Sequence, residues 1–262
     1  MDETYAEQIA TWKARRLADL KADAGWLNLT DRLEVTPGRW RVGRAADNDL
    51  VLSVGPEHLG LLDLPVDGAA TILPEGTGTA LPFQPVPDAY PQVRTEGLIL
   101  ELTTLEGTWA LRVRDCDPAN RANFPGLAYF PLDPTWRVLA RWEPLATPRT
   151  FDIDMVNGVA THVTLTHRAS FERDGKTWSL LPTHLKSGKP MFVLRDLTSK
   201  SETYAASRFL YGEEAGNGTI VLDFNKAFNP PCAFTDLAVC PLPPQENILP
   251  FRIEAGELMP IT

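Results

Sequence analysis

Residues 222–234 read Leu-Asp-Phe-Asn-Lys-Ala-Phe-Asn-Pro-Pro-Cys-Ala-Phe, and the chain continues to Cys-Pro-Leu-Pro-Pro at 240–244. This stretch holds two of the three cysteines, Cys232 and Cys240, and few residues typical of a protein surface. Asn229 precedes Pro230, and a residue before proline avoids the helical region of backbone space. The pattern predicts an extended apolar segment that wraps over the edge of a core. It carries no standard catalytic or nucleotide-binding motif, so the sequence reveals neither a reaction nor a ligand.

The composition around this stretch favours a mainly β protein. At 262 residues the chain is long enough to bury a core without metals or disulfides. Its 23 prolines, spread along the chain with 18 glycines, favour many short elements joined by turns. We therefore expect an N-terminal helix followed by an antiparallel β barrel or sandwich.

The charge balance excludes some classes of partner. A net charge of −9 argues against general nucleic-acid binding, because affinity for phosphate backbones needs concentrated Lys and Arg. No apolar run approaches the ~20 residues of a membrane span, and residues 1–24 lack the apolar centre of a signal peptide. We expect a cytoplasmic protein with no membrane partner and no cofactor. The oligomeric state and the existence of an enzymatic activity stay open.

The histidines give no indication of a metal site. His162 and His167 are five residues apart, so on a regular strand they face opposite sides of the sheet. The chain contains no His-x-His or His-Glu-x-x-His spacing. We therefore expect no metal.

Changes in the sequence pattern predict four regions. Residues 1–24 form an amphipathic helix, 25–81 a small β segment, 82–91 a linker or loop, and 92–262 the larger antiparallel β barrel or sandwich. Dipeptides favoured in tight hairpins predict turns within the larger part. They are Glu106–Gly107, Asn157–Gly158 and Asp174–Gly175.

The small β segment contains a spaced motif. Gly43-Arg44 is followed by Asn48-Asp49-Leu50 and then by His58. This pattern resembles the forkhead-associated domain, a phosphothreonine-binding module with a β scaffold. The serine that contacts phosphate in that family corresponds to Gly55 here. The resemblance implies a shared β layout and a protein-interaction role for this face.

A second resemblance covers most of the chain from about Trp26 onward. Its blocks resemble an uncharacterised bacterial family known as domain of unknown function sixteen eighty-four. The resemblance implies a shared fold and no particular chemistry. The blocks are Arg112–Asp115, Phe130–Arg137, Arg195–Thr198, Thr203-Tyr204, Arg208–Leu210, Leu222–Asn225 through Cys240–Pro243, and Glu254–Glu257.

Polar residues near the strand ends are candidates for ligand binding. Arg114, Asp115 and Arg121 form a charged cluster, which either stabilises a turn through Arg–Asp pairs or presents an arginine fork to an anionic ligand. A second set could join this cluster in lining one end of the β scaffold, since small-ligand sites need a few convergent polar groups. It comprises Tyr204, Arg208, Asp223, Asn225 and Asn229.

The pair Cys232 and Cys240 leaves four interpretations open. They are buried thiols, a disulfide or redox pair, a metal pair, or a nucleophile with a second thiol, for which His184 is the only base suggested. Three functional hypotheses follow. The first is binding of a small anionic ligand in a polar pocket, the second a protein-interaction module, and the third a cysteine-dependent hydrolase.

Overall fold

The computed structural model of the chain starts with one long helix. The structure describes residues 4–67, 69–87, 89–116, 119–155, 160–186 and 188–261. Helix α1 (Tyr5–Lys21) opens with a capping box, in which the Glu7 amide donates to the Thr4 hydroxyl at 3.3 Å and the Thr4 amide donates to the Glu7 carboxylate at 2.7 Å. The predicted N-terminal helix is confirmed, and it ends at Lys21. Within the described ranges, no helix has the length and apolar character that crossing a membrane requires.

The remaining elements are mostly strands, and they fall into two compact units. Ala18–Phe124 forms the smaller unit, and Met1–Leu17 with Pro125–Thr262 forms the larger. The smaller unit contains β1 (Leu29–Val35), β2 (Gly38–Gly43), β3 (Leu50–Val51), β4 (Gly60–Leu64), β5 (Thr71–Pro74), β6 (Leu81–Pro82), β7 (Gln84–Val86), β8 (Ala89–Thr95), β9 (Leu98–Leu105), β10 (Thr108–Asp115) and α2 (Ala119–Asn123).

The smaller unit is a sandwich of two five-stranded sheets. Their strand orders are β3-β2-β4-β5-β6 and β1-β10-β9-β8-β7, and β2–β3 is a parallel pair among antiparallel ones. Alternating apolar residues of both sheets form one core cluster. Val42 and Leu62 come from the first sheet, and Leu100 and Leu111 from the second.

The larger unit contains one seven-stranded sheet in the order β13-β12-β11-β17-β16-β15-β14, with antiparallel pairing throughout its ladders. These strands are β11 (Arg137–Asp154), β12 (Ala160–Arg173), β13 (Lys176–Leu180), β14 (His184–Lys186), β15 (Lys189–Leu194), β16 (Arg208–Gly216) and β17 (Thr219–Asp223). The mainly β, antiparallel fold is confirmed.

The C-terminal segment, residues 224–261, covers the core of the larger unit without forming a regular strand. Phe224, Leu249 and Ile253 of this segment pack in one cluster with Phe192 of β15 and Leu210 of β16. The cluster is almost completely buried. The apolar, proline-rich sequence therefore supplies core side chains from an irregular backbone.

Two predicted hairpin turns are confirmed by their backbone angles. Glu106 and Gly107 between β9 and β10 have φ values of 47° and 80°, and Asp174 and Gly175 between β12 and β13 have φ values of 52° and 70°. Positive φ at both central positions matches the right-handed twist of the flanking strands. The predicted turn at Asn157–Gly158 lies outside the described residues.

The division into units differs from the predicted four regions. Residues 82–91 were expected to separate two β parts, but Pro82 ends β6 and Pro85 lies in β7, within the smaller unit. Each of these strands is the last in its sheet. Proline cannot donate to a ladder and is tolerated at sheet edges, which explains why a proline-rich stretch passes from one sheet to the other.

Close backbone packing fixes the loops on either side of β3. The Arg44 amide donates to the Pro56 carbonyl and the Ala45 amide to the Glu57 carbonyl, both at 2.9 Å. The Asn48 side-chain amide donates to the carbonyls of Ala45 and Glu57 at 2.8 Å. A side chain at Gly43 would overlap the Glu57 carbonyl oxygen. Gly43 is required here because two backbones approach closely, and this role needs no unusual φ.

We predict that Gly43→Ala destabilises the smaller unit by about 1–3 kcal/mol, the usual cost of forcing an extra methyl into a packed site. Hydrogen exchange of peptides from β2 and β4 in the full-length protein measures the loss. Arg39→Ala, on the same strand and in an exposed pair with Asp63, should leave exchange nearly unchanged. Equal protection in Gly43→Ala and the native protein would contradict this account of the loop packing.

Candidate functional site

The predicted arginine fork in the smaller unit is a buried ionic cluster. Arg114 is 3% exposed and donates to the Glu101 carboxylate at 3.1 Å. Arg112, two residues earlier, donates to the same oxygen at 3.3 Å. Both guanidinium groups lie within 6 Å of the Trp26 ring. One carboxylate from the neighbouring strand β9 thus holds both guanidinium groups.

The other two members of that cluster lie at the end of β10 and on α2. Asp115 is the last residue of β10. Arg121 donates to the Asp23 carboxylate at 3.0 Å and also to the Cys116 carbonyl. Arg121, followed by Arg94, holds the pKa of the Asp23 carboxyl below its ordinary value. Arg121 therefore links the turn after β10 to the segment around Asp23.

Arg208 in the larger unit is 1% exposed and is held entirely by the chain. Its guanidinium donates to the Asp196 carboxylate at 2.5 Å and to the carbonyls of Ala255 and Ile253 at 2.5 and 3.1 Å. Burial lowers the pKa of Arg208, and the Asp196 charge opposes that effect. Arg208 therefore stabilises the C-terminal segment from inside the larger unit.

Asp223 and Asn225 lie together beside the start of α1. The Tyr5 hydroxyl donates to Asp223 at 2.8 Å, and the Asn225 side-chain amide donates to that hydroxyl at 3.0 Å and to the Asp133 carbonyl at 2.9 Å. Burial, followed by the hydrogen bond to Asp223, raises the pKa of Tyr5. These polar side chains attach the helix to the end of β17.

Asn229 belongs to a different network. Its backbone amide donates to the buried Glu257 carboxylate at 2.8 Å, and its side chain donates to the Leu258 carbonyl at 2.7 Å. Arg16 of α1 donates to Glu257 and to the Asn229 carbonyl, both at 2.9 Å. Sequence reasoning missed Arg16 and Glu257 as partners, because their separation of 241 residues leaves no local signal.

Tyr204 is placed with the two candidate thiols. Its hydroxyl donates to the Cys232 carbonyl at 2.8 Å, and the Cys232 amide donates to Cys240 Sγ at 3.3 Å. Cys232 is half-buried and Cys240 is buried, and both carry reduced thiols. Hydrogen bonding with the Cys240 thiol is the main cause that lowers the pKa of Cys232, the Tyr204 hydroxyl adds to it, and burial opposes it.

The candidate residues therefore form several separate groups within each unit. Asp223 joins Asn225, Asn229 joins Glu257, Arg208 joins Asp196, and Tyr204 joins the thiols. Among the residues that the structure describes, no three His, Cys, Asp or Glu side chains gather as a set of metal ligands.

An open groove lies on the smaller unit, over strands β2, β4 and β5. Its volume is about 390 Å³. The polar side chains that line it include Arg41, Asn48, His58 and Glu75. The rest of the lining is formed by Gly60, Leu61, Leu73, Pro74, Gly76 and Gly78. We call this cavity the β2–β5 groove.

The basic side chains of the groove have acidic neighbours. Arg41 pairs with Asp49 through two guanidinium nitrogens at 3.1 and 3.2 Å, and this pair is largely exposed. His58 Nδ1 lies 3.9 Å from the Asp47 carboxylate. Asp49 raises the pKa of Arg41, and Arg41 in turn lowers the pKa of Asp49. Sequence analysis missed Arg41, although its outward alternation on β2 could have indicated it.

Gly55 has a geometric reason to be glycine. Its φ is 88°, and a Cβ there would lie 2.7 Å from a methyl carbon of Leu98. A serine in this loop conformation would be strained and crowded. The backbone at this position therefore favours glycine over the phosphate-contacting serine of the forkhead-associated pattern.

The surroundings of the cysteines predict different reactivities towards an alkylating agent. The thiolate is the reactive form, so a lower pKa shifts labelling to lower pH. Burial raises the pKa of Cys116, whereas the pKa of Cys232 is lowered. Iodoacetamide labelling across a pH series, read by peptide mass spectrometry, should show Cys232 labelled at lower pH than Cys116. Tyr204→Phe should move only the Cys232 profile to higher pH, and labelling of Cys116 at or below the pH of Cys232 would contradict the assignment.

Comparison with known proteins places the larger unit in a family. The family model described as Protein of unknown function (DUF1684) matches residues 122–258, which is more than half of the chain. No protein with a curated description matches the sequence. The solution structure of an uncharacterized protein of Haloarcula marismortui is similar at 32% identity, over 54% of this chain and 80% of that chain, with a TM-score of 0.44.

The family match begins after residues 25–81, so the forkhead-associated resemblance of that segment stays a prediction. The resemblance of the later blocks, from Phe130 to Glu257, is confirmed. The chain belongs to the DUF1684 family of proteins of unknown function.

Proposed function

We propose that the smaller unit binds a small anionic ligand in the β2–β5 groove. The observation that carries the proposal is the convergence of Arg41, Asn48 and His58 on one open cavity of about 390 Å³. Small-molecule sites commonly have volumes of ~300–1,000 Å³ and a few placed polar groups. The buried Arg114 and Arg208 support the fold, so the groove is the better place for the predicted anion.

Arg41 supplies the recognition of the ligand. Its planar guanidinium already holds the Asp49 carboxylate through two nitrogens, which is the geometry that carboxylate and phosphate groups accept. The Arg41 side chain is 59% exposed, and exposed ion pairs contribute little to stability. An incoming anion can therefore replace Asp49 on Arg41 at small cost, so Asp49 acts as an internal competitor.

The walls of the groove are fixed before a ligand arrives. Asn48 ties the loop after β2 to the loop before β4 through its two hydrogen bonds. The absence of a side chain at Gly43 allows those backbones to meet. A preformed site avoids part of the ordering cost of binding. Leu61, Leu73 and Pro74 supply apolar contact for the body of a ligand.

A protein-interaction role for the same face is the second candidate. Arg44 is exposed near the groove loops and would be available to an acidic side chain of a partner. A cysteine-dependent hydrolase needs a base beside the nucleophile. Among the described residues, the hydrogen-bonding groups that act on Cys232 include Cys240 and Tyr204, and neither of these is the usual histidine or carboxylate base.

Calorimetric titration of the full chain with inorganic phosphate, O-phosphothreonine and a small dicarboxylate tests the proposal. We expect at least one of these anions to bind, and Arg41→Gln to abolish that binding. Asp49→Asn removes the competing charge and keeps an oxygen for the Arg41 amide, so binding should tighten by about twofold to fivefold.

Arg39→Gln is the matched control, because Arg39 is on the same strand but does not line the groove. It should bind the anion as the native chain does. Failure of all three anions to bind, or undiminished binding by Arg41→Gln, would overturn the proposal. If an acidic peptide bound the protein and none of the three small anions did, that result would favour the protein-interaction candidate.

A further inference from the structure

Two of the three cysteines come together in the irregular C-terminal segment of the larger unit. Cys232 lies in a single 3-10 turn, Pro231–Ala233, and Cys240 follows eight residues after Cys232. Cys232 is partly exposed, whereas Cys240 is only 2% exposed. One thiol is therefore available to a reagent, and the other lies behind it.

The backbone brings the two residues within bonding range. Cys240 Sγ is 3.3 Å from the Cys232 amide nitrogen. Because an N–Cα bond is about 1.5 Å long, Cys240 Sγ lies within about 5 Å of Cys232 Cα. That reach is compatible with the ~4.4–6.8 Å that separates the Cα atoms of disulfide-bonded residues. Rotation of the cysteine side chains can thus close the bond while the backbone stays close to its present position.

Hydrogen bonds hold both cysteines in place. The Ala233 amide donates to the Pro230 carbonyl at 3.0 Å, and the Phe234 amide donates to the Pro231 carbonyl at 2.9 Å. Beyond Cys240, the Leu242 amide donates to the Asp154 carbonyl of β11 at 2.7 Å. The sheet and the 3-10 turn therefore preserve the proximity of Cys240 Sγ to Cys232.

We propose that Cys232 and Cys240 form a reversible redox pair that reacts with hydroperoxides. The Cys232 thiolate attacks the terminal peroxide oxygen, the O–O bond breaks, and the remaining oxygen leaves as an alcohol, or as water from hydrogen peroxide, with the thiol proton. Cys232 then carries a sulfenic acid. The Cys240 sulfur attacks the Cys232 sulfur, the S–O bond breaks, and water leaves with the Cys240 proton. The two sulfur atoms together lose two electrons, and the peroxide gains them.

The surroundings assign the two roles. Cys232 is the attacking residue because it is partly exposed and its thiolate is favoured by the neighbouring Cys240 and Tyr204 groups. Cys240 is the resolving residue because burial protects it from direct oxidation while its sulfur faces Cys232. The inference concerns the larger unit and is independent of anion binding in the β2–β5 groove.

The test treats the reduced, native full-length protein with stoichiometric hydrogen peroxide and measures its intact mass. We expect loss of the mass of two hydrogen atoms, return of that mass on addition of a thiol reductant, and a Cys232–Cys240 link in the peptide map. A link that contains Cys116, or oxidation that leaves Cys232 and Cys240 unlinked, would overturn the proposal.

Three variants separate the roles. Cys240→Ser should stop at the Cys232 sulfenic acid, which dimedone traps, and Cys116→Ser should behave as the native chain does. Tyr204→Phe should react about fivefold more slowly, the change that one net hydrogen bond represents. Disulfide-dependent mass loss that persists in Cys240→Ser, or an unchanged rate in Tyr204→Phe, would contradict the assigned roles.

Discussion

The ion pair between Asp196 and Arg208 connects three parts of the larger unit that are distant in sequence. One Asp196 oxygen accepts from Arg208, and the other accepts from the amides of Thr198 and Ile253. Arg208, at the start of β16, also donates to the carbonyls of Ile253 and Ala255. Buried charges are costly unless they are paired and hydrogen-bonded. This requirement places the irregular C-terminal segment against the sheet, which in turn positions Phe224, Leu249 and the cysteine-bearing turn.

The need to pair buried charges also operates in the smaller unit, where it distinguishes the buried arginines from the exposed Arg41. Arg112 and Arg114 lie inside the unit with Glu101, so their charges stabilise the packing of β9 and β10. Arg41 projects from the opposite sheet into an open groove, where its side chain is 59% exposed and that of its carboxylate partner Asp49 is 37% exposed. Burial, more than residue type, separates the arginines that stabilise the packing of β9 and β10 from Arg41, the residue that we propose for anion binding.

Local signals made much of the architecture predictable. The capping box at Thr4 and Glu7 and the turns Glu106–Gly107 and Asp174–Gly175 depend on neighbouring residues, and the sequence shows all of them. The proximity of Cys232 to Cys240 also follows from a short separation. The contacts of the candidate site residues were harder to predict from the sequence. The partners of Arg208, for example, come from positions both before and after Arg208 in the chain. The alternation of residues along a strand does not show which polar side chains will be buried. Nothing near Arg41 in the sequence indicates that β5 forms part of the β2–β5 groove.

The most direct test of this account is a double-mutant cycle on Asp196 and Arg208 in the full chain. Unfolding of the larger unit would be followed through hydrogen exchange of β15 peptides. We expect Arg208→Met alone to cost about 3–5 kcal/mol, because it leaves Asp196 charged and unpaired in the interior. Asp196→Asn should also destabilise the unit, and the double variant should be less destabilised than the two single effects combined, with a coupling of about 1 kcal/mol or more. Additive effects, or a stability unaffected by Arg208→Met, would show that the pair does not organise the fold.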